Sequence, residues 1–421
     1  MARLLFTTFG SYGDLFPYIA VGTELQRRGH HVTIATNALF REQVDREGLG
    51  FHAVRPDISL DDREMIAYVM DARHGSERLI RYLAFMIRES YEDFLAAAES
   101  ADAIVTHPAT PAAVLVARKL SQIPNSKVWI SSVLAPLSFF SAYDPPVLAP
   151  ASWLHRLRAL GPGFMRTIFG LAKRRSLEWV RPILDFRREL GINDASHPLF
   201  DGQHSPFLVL ALFSPRTAIP QPDWPAQTSI TGFPFFDRGG LGPEVESFLA
   251  AGPAPVVFTL GSSAVGAARD FYVHSLRAIE RLGVRAILLT GSHPQGLPET
   301  LPEGALAIPY APHGAVFARS SAIVHQGGIG TTAQAMRAGR PMLVVPFAHD
   351  QYDNAERVRR LGVAEVLPHA KYRSQNAEQI LRRLLSNSAY RKAAATLGEQ
   401  VRDENGSSHA ADAIEAGLNR L

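Results

Sequence analysis

His325-Gln326-Gly327-Gly328-Ile329-Gly330-Thr331-Thr332 opens the stretch that decides the fold, residues 325–354, which reads HQGGIGTTAQAMRAGRPMLVVPFAHDQYDN. A short apolar run, Ser321 to Val324, ends on the histidine. Glycines follow, then a helical pattern (Ala333, Ala335, Met336) that Gly339 and Pro341 close. That is strand, glycine turn and helix N-terminus. The first backbone N–H groups of such a helix have no partner within it, and the helix dipole adds partial positive charge, so the turn is built to hold an anion. Gly327, Gly328 and Gly330 let the backbone approach that anion without a Cβ in the way. His325 adds a further donor, and Thr331 and Thr332 add hydroxyls. A second apolar run, Met342 to Val345, breaks at Pro346 and delivers Asp350 and Gln351 on the next loop. A carboxylate beside an amide both accepts from and donates to the hydroxyls of a sugar-like ligand.

Three readings fit these residues. Gly328-x-Gly330-x-x-Ala333 with Asp350 further on matches the dinucleotide fingerprint of a nicotinamide-dependent oxidoreductase. A glycine-rich turn can also be a tight connection and nothing more. The third is a sugar-nucleotide site, and the histidine at the strand end favours it, because a dinucleotide fold has no standing need for one there.

Upstream, residues 2–8 read as a buried strand and residues 9–14 (FGSYGD) as a loop; Pro17 is expected to open a helix that Gly29 stops. Strands at 31–35 and 51–54 flank a helix at 39–47. Helical periodicity fills 62–98, and strands are expected at 103–106, 128–131 and 207–212. Strands alternating with helical patterns mean parallel sheets covered by helices, with ligands at the carboxyl ends of the strands. Prolines crowd residues 215–234, and after Gly239-Gly240 the alternation restarts. The expectation is therefore two Rossmann-like doubly wound α/β domains facing a cleft. Residues 1–218 form the first domain, 219–240 a linker and 241–400 the second, and a helix within 401–421 is placed against the first.

His325, the glycines, Thr331, Pro341, Pro346 and the Asp350-Gln351 pair resemble the sugar-nucleotide signature of the family 1 glycosyltransferases, which are inverting, metal-independent enzymes of the GT-B fold. The residue roles that follow are what this resemblance implies. His325 would donate to the α-phosphate, with Ser262 and Ser263 (the former favoured) as a second phosphate contact. Gly327, Gly328, Gly330 and Thr331 would hold the β-phosphate. Tyr310, with Ala311 beside it, would stack on the base, and Asp350 and Gln351 would bind the sugar. Asp14, in Gly10-Ser11-Tyr12-Gly13-Asp14, would be the base, with Asp14 and His325 as the catalytic pair. As a plain residue, Asp14 also reads as an Asx turn preparing a helix.

Where many uridine-nucleotide members carry a ribose-binding glutamate, this chain has Ala333, which favours deoxythymidine nucleotides. The stretches QPDWP (221–225), TGFPFFD (231–237) and HDQYDNAER (349–357) are similar to the branch that includes the rhamnosyltransferase B subunit of rhamnolipid synthesis. That branch implies dTDP-L-rhamnose and a hydroxy-fatty-acid or flavonoid acceptor. A UDP-glucose enzyme for phenolic or macrolide-like acceptors is the alternative. Ser11, Phe85, His107, Phe139, Phe140 and Tyr143 are the candidates for lining an apolar acceptor pocket.

At 421 residues the chain has room for two full cores, and 46% hydrophobic with 20% charged residues is ordinary globular composition. No cysteine is present, which removes thiolate chemistry and disulfides and fits a cytoplasmic setting. The N-terminus reads as strand rather than signal peptide. A formal charge of +3 does not argue for nucleic acid. No cofactor is expected beyond the substrate nucleotide. Residues 151–190 hold nine Arg or Lys against three Asp or Glu, interleaved with Trp153, Phe164 and Leu171, a pattern that fits either a solvated face whose arginine stems cover apolar neighbours or a basic amphipathic helix lying on an anionic membrane.

Overall fold

Every strand pairing in the computed structural model is parallel. The structure describes residues 1–59, 62–123, 126–237, 239–262, 264, 270–292 and 297–418. The first sheet comprises β1 (Arg3–Thr7), β2 (His31–Thr36), β3 (Gly50–Ala53), β4 (Ala103–Thr106), β5 (Val128–Val133), β6 (Val209–Ala211) and β7 (Thr228–Ile230). Its order is β3-β2-β1-β4-β5-β6-β7. The second comprises β8 (Val256–Thr259), β9 (Ala286–Leu289), β10 (Ala305–Ile308), β11 (Ala322–His325), β12 (Met342–Val344) and β13 (Ala364–Val366), in the order β10-β9-β8-β11-β12-β13.

Both sheets are covered on two faces, so their central strands read as unbroken apolar runs rather than alternating ones. Leu4 to Phe6, Val256 to Phe258 and Ala322 to Val324 are all buried. The strand order reverses between β1 and β4 and again between β8 and β11, and ligands of open parallel sheets settle outside the carboxyl ends at such points. Ser11 and Asp14 follow β1, His107 follows β4, Ser262 follows β8, and His325 ends β11. The two reversals face each other across one cleft.

Two expectations need correcting. Pro17 lies inside the helix Tyr12–Arg27 and does not open it. Ser11 caps that helix, accepting from the Gly13 N–H at 3.3 Å, while the Asp14 carboxylate reaches back to the Ser11 N–H at 2.7 Å. This capping box supplies a start strong enough to precede the proline by five residues, and what Pro17 does is withhold an N–H from the Gly13 carbonyl. Within the proline-dense stretch read as linker, Thr228–Ile230 instead forms the seventh strand of the first sheet, held to β6 by three pairings.

The last helix, Gly406–Leu418, packs on the first domain. Ala410, Ala411 and Ile414 enter the core beside Leu15, Ile19 and Ile34, and Arg28 donates to Asp412 at 2.6 Å and to Glu415 at 2.7 Å. Among the described residues no helix is long and apolar enough to cross a membrane.

Candidate active site

The helices Tyr12–Arg27 and Ile329–Ala338 meet at their N-termini. A Cβ added to Gly330 would stand 3.3 Å from the Cα of Gly13. The two helix N-termini therefore converge on the same space from opposite domains. Between the domains lies a cavity of about 1040 Å³, at the upper end of small-molecule sites. Ser11, Asp14, His107 and Phe140 line it from the first domain, and Ser262, Tyr310, Gly328, Gly330, Thr331, Asp350 and Gln351 from the second.

Asp14 accepts from the Ser11 N–H and from its Oγ at 3.1 Å. Gly10, at φ +137°, makes room, since a Cβ there would sit 2.3 Å from the carboxylate oxygen. Burial raises the Asp14 pKa above its usual range, against the two Ser11 hydrogen bonds that lower it. A carboxylate moved that way is a stronger base than an exposed one.

His325 is wholly buried at the end of β11. Its Nδ1 accepts from the Gly327 N–H at 3.1 Å, which leaves the proton on Nε2. Burial holds its pKa down at about 3, with His313 nearby adding repulsion, so the ring is a neutral donor. Nε2 is buried without a hydrogen-bond partner among the described residues. A buried polar group of this kind calls for a ligand. His325 lies behind the cavity wall rather than on it, with Gln326 and Gly328 in front. Gly327 is at φ +89°, and a Cβ there would stand 2.8 Å from Val344 and 3.0 Å from the Gln351 carbonyl oxygen.

Asn354 joins the glycine turn to the sugar-type loop. Its Nδ2 donates to the Gly327 carbonyl at 2.9 Å and to the Asp350 carboxylate at 2.7 Å. Burial, with Asp14 as a further negative charge, pushes the Asp350 pKa up to about 7. Gln351 is buried, and its Oε1 accepts from the Phe347 and Ala348 N–H groups at 2.8 and 3.2 Å. Its amide therefore has only N–H donors left to offer, a narrower role than accepting and donating together.

Other assignments shift. Ala311 is 2% exposed and belongs to the core, beside Val316 and Phe317, rather than to a base platform; Tyr310 stands on the rim, 58% exposed. Ser263 lies outside the described residues. The acceptor candidates divide. His107 lines the cavity with its ring edge-on to Tyr18, 6.1 Å between centroids, and burial depresses its pKa to about 3. Phe140 lines it too. Phe139 does not: it stacks on Trp224 at 4.1 Å and packs in the core. Tyr143 lies on the surface under Arg166, whose guanidinium is 5.3 Å from the ring. Phe85 is 76% exposed outside the cavity, because the helix Gly75–Phe85 turns Leu79, Ile80 and Leu83 inward instead. A β-turn or helix pattern places an aromatic near a site but does not fix the face it presents.

Apart from Gln334, which reads in the sequence as able to compensate for the missing ribose-binding glutamate, several cavity residues escaped notice there. Gln326 and Gln334 each have a buried Oε1 without a partner among the described residues. Phe233, Phe235, Phe236 and Asp237 line the cavity from the interdomain stretch, and Arg337 clamps Asp237 at 2.6 Å. The lining also includes an aliphatic group, Ile66, Val69, Met70, Leu79, Leu83 and Ile183, with Trp179. Beyond Gln334 beside Ala333, only the TGFPFFD run carried a sequence signal for any of these. Among the described residues no cluster of three or more His, Cys, Asp or Glu is placed to hold a metal ion.

The N-terminal part, residues 4–116, matches the glycosyltransferase family 28 N-terminal domain, and residues 278–416 match the erythromycin biosynthesis protein CIII-like C-terminal domain. The O-mycaminosyltylonolide 6-deoxyallosyltransferase of Streptomyces fradiae is 32% identical over 98% of this chain and 97% of its own length. The chain is a GT-B glycosyltransferase. A sterol 3-beta-glucosyltransferase of Leptosphaeria maculans is 27% identical over 98% of this chain but only 28% of that longer protein. The solved glycotransferase of kitacinnamycin superposes with a TM-score of 0.74 at 21% identity, over 99% of both chains. This GT-B glycosyltransferase is thus related to bacterial natural-product enzymes that use dTDP- or UDP-sugars, a broader placement than the rhamnolipid branch, and the oxidoreductase reading of residues 328–333 falls away.

Proposed function

We propose that this GT-B glycosyltransferase transfers a 6-deoxyhexose, L-rhamnose, from its dTDP derivative to a hydroxyl of a rigid apolar acceptor with inversion. One observation carries the reading: the contact of Gly13 with Gly330, which sets the Asp14 carboxylate opposite the anion-holding turn and Asp350 across one cavity. The diphosphate rests on the N-terminus of Ile329–Ala338, with Gly328, Gly330 and Thr331 as backbone donors and Ser262 opposite. The Nε2–H of His325 faces the α-phosphate once Gln326 gives way, so oriented dipoles bear the leaving-group charge that a cation bears elsewhere. Tyr310 covers the base. Asp350 accepts from the sugar hydroxyls and Gln351 donates to the sugar. Asp14 takes the acceptor proton as the hydroxyl attacks the anomeric carbon from the face opposite the leaving group.

The dTDP half of the donor rests on Ala333, which leaves no carboxylate for a ribose 2′-hydroxyl, and the 6-deoxyhexose on the Streptomyces fradiae relative, named for a 6-deoxyallosyl transfer. The aliphatic part of the cavity lining favours a macrolide- or sterol-sized skeleton over a single phenolic ring. Turnover with dTDP-L-rhamnose and UDP-glucose, against a panel of macrolide aglycones, sterols, flavonoids and hydroxy-fatty-acid esters read by mass gain, tests both halves. Transfer from UDP-glucose alone would replace the sugar, and the sterol glucosyltransferase likeness favours that second reading.

The surface of residues 151–177 leaves Trp153, Leu160 and Leu171 exposed beside Arg156, Arg158, Arg174 and Arg175. We place this face on an anionic bilayer. Phosphatidylglycerol vesicles should co-sediment the protein in low salt and release it in high salt; no co-sedimentation refutes the placement.

A further inference from the structure

His349 is one of two non-glycine residues with positive φ among the described residues, at 54°, and it immediately precedes Asp350. Left-handed backbone is uncommon for a side chain of this size, and it persists only where the surroundings hold it. What holds it comes from the other domain. The Nδ1 of His349 is 3.1 Å from the Ser76 Oγ, and the Val69 carbonyl faces the same ring. Burial lowers the His349 pKa to about 4, so the ring is neutral, with Ser76 donating to Nδ1 and the other nitrogen carrying the proton toward Val69.

Val69 and Ser76 flank the turn between the helices Arg63–Val69 and Gly75–Phe85. That turn is tight: a Cβ on Gly75 would lie 2.1 Å from the Val69 carbonyl oxygen. Ile66 and Met70 of the same hairpin are buried with Phe347 and Ala348 in the core of the second domain. The hairpin belongs to the first domain in sequence, yet its apolar residues are shared with the loop that ends in Asp350. Ile66, Val69, Met70, Ser76, Leu79 and Leu83 are also lining residues of the cavity. One short segment thus lines the cavity and also holds side chains of the loop that leads to Asp350.

We propose that Ser76, through His349, is a positioning residue for Asp350, so that the acceptor-side hairpin sets the geometry of the sugar subsite. The proposal rests on the reading of Asp350 as the sugar-holding carboxylate. Loss of the Ser76 hydroxyl frees the His349 ring, lets φ relax from 54°, and turns the Asp350 carboxylate away from the sugar. The pyrophosphate turn, anchored by His325 and Asn354, does not move.

Calorimetric titration with dTDP and with dTDP-L-rhamnose separates the two, because their affinity ratio measures the sugar subsite alone. Ser76→Ala should leave dTDP affinity within about twofold and weaken dTDP-L-rhamnose by about three- to tenfold, the range of one hydrogen bond. Ser76→Thr should restore it, and Asp350→Asn should lose the same preference. A purely structural role for Ser76 would lower both affinities together. If Asp350→Asn loses the preference while Ser76→Ala keeps it, the coupling is overturned and the sugar-site reading survives. If the native protein shows no preference for dTDP-L-rhamnose over dTDP, or Asp350→Asn keeps it, the sugar-site reading falls and takes the coupling with it.

Discussion

Asn354 donates from one amide nitrogen to the Asp350 carboxylate at 2.7 Å and to the Gly327 carbonyl at 2.9 Å, so one side chain serves both the anion-holding turn and the sugar loop. The helix Gln351–Arg360 makes this possible, since residues 350 and 354 lie one turn apart on its inner face. Asn354→Ala should cost about 1–3 kcal/mol, the penalty of leaving a buried acceptor unsatisfied, and should weaken nucleotide-sugar binding as well. Chemical denaturation and calorimetry on the variant check both; an unchanged midpoint with unchanged binding refutes the linkage.

Asp14 has a structural task and a chemical one. Asp14→Asn keeps an oxygen to accept from the Ser11 N–H, so the helix cap survives, but it removes the base. Turnover should fall by about 10²–10⁴-fold, with dTDP affinity unchanged and stability altered by no more than about 1 kcal/mol. Single-turnover transfer assays read the first and melting curves the last. Retained turnover would move the base elsewhere, with His107 the next group on the same sheet edge.

The contact of Gly13 and Gly330 makes a prediction in which stability and activity diverge. Gly330→Ala places a methyl 3.3 Å from the Gly13 Cα, so the two helix ends must part by a few tenths of an ångström. Alanine in a helix is favoured over glycine by about 0.5–1 kcal/mol, so the melting temperature should hold or rise. Turnover should fall about tenfold, because in-line attack tolerates little displacement. A variant that melts lower yet turns over normally would contradict this.

Asp350 sets a pH dependence. Its pKa is 3.8 when unperturbed and about 7 in the fold, so between those values the folded state binds more protons than the unfolded one. The stability its neutral form contributes is complete below 3.8 and is lost as pH rises through about 7. Denaturation of the ligand-free protein at pH 5 and pH 7.5 should therefore show stability falling with pH by more in the native chain than in Asp350→Asn. Equal slopes would mean that Asp350 ionises freely.

The sequence made the second sheet and its turn legible because strand, glycine turn and helix lie within thirty consecutive residues, where local chemistry dictates geometry. The contacts of this region with the first domain were not legible. Ser76 meets His349 across 273 residues, and Asp144 pairs with Arg357 across 213, joining a loop whose aromatics read either as a pocket lining or as a satellite core beneath the loop. The same blindness explains Phe139 and Tyr143, whose composition marked the loop while the stacking of Phe139 on Trp224 decided which way each ring faced. Periodicity gave helices within residues 62–98 but not the break at 70–74, which Asp71 creates by accepting from the Arg73 and His74 N–H groups at 3.0 and 2.7 Å.

The central claim is that backbone dipoles and the neutral His325 hold the diphosphate. Titration of dTDP into the native protein and His325→Ala, both in EDTA, tests it most directly. The native protein should bind dTDP without any divalent cation, and His325→Ala should bind it at least about tenfold more weakly, the loss of a hydrogen bond to a charged group. Binding that requires magnesium, or equal affinity in the two proteins, would contradict the claim.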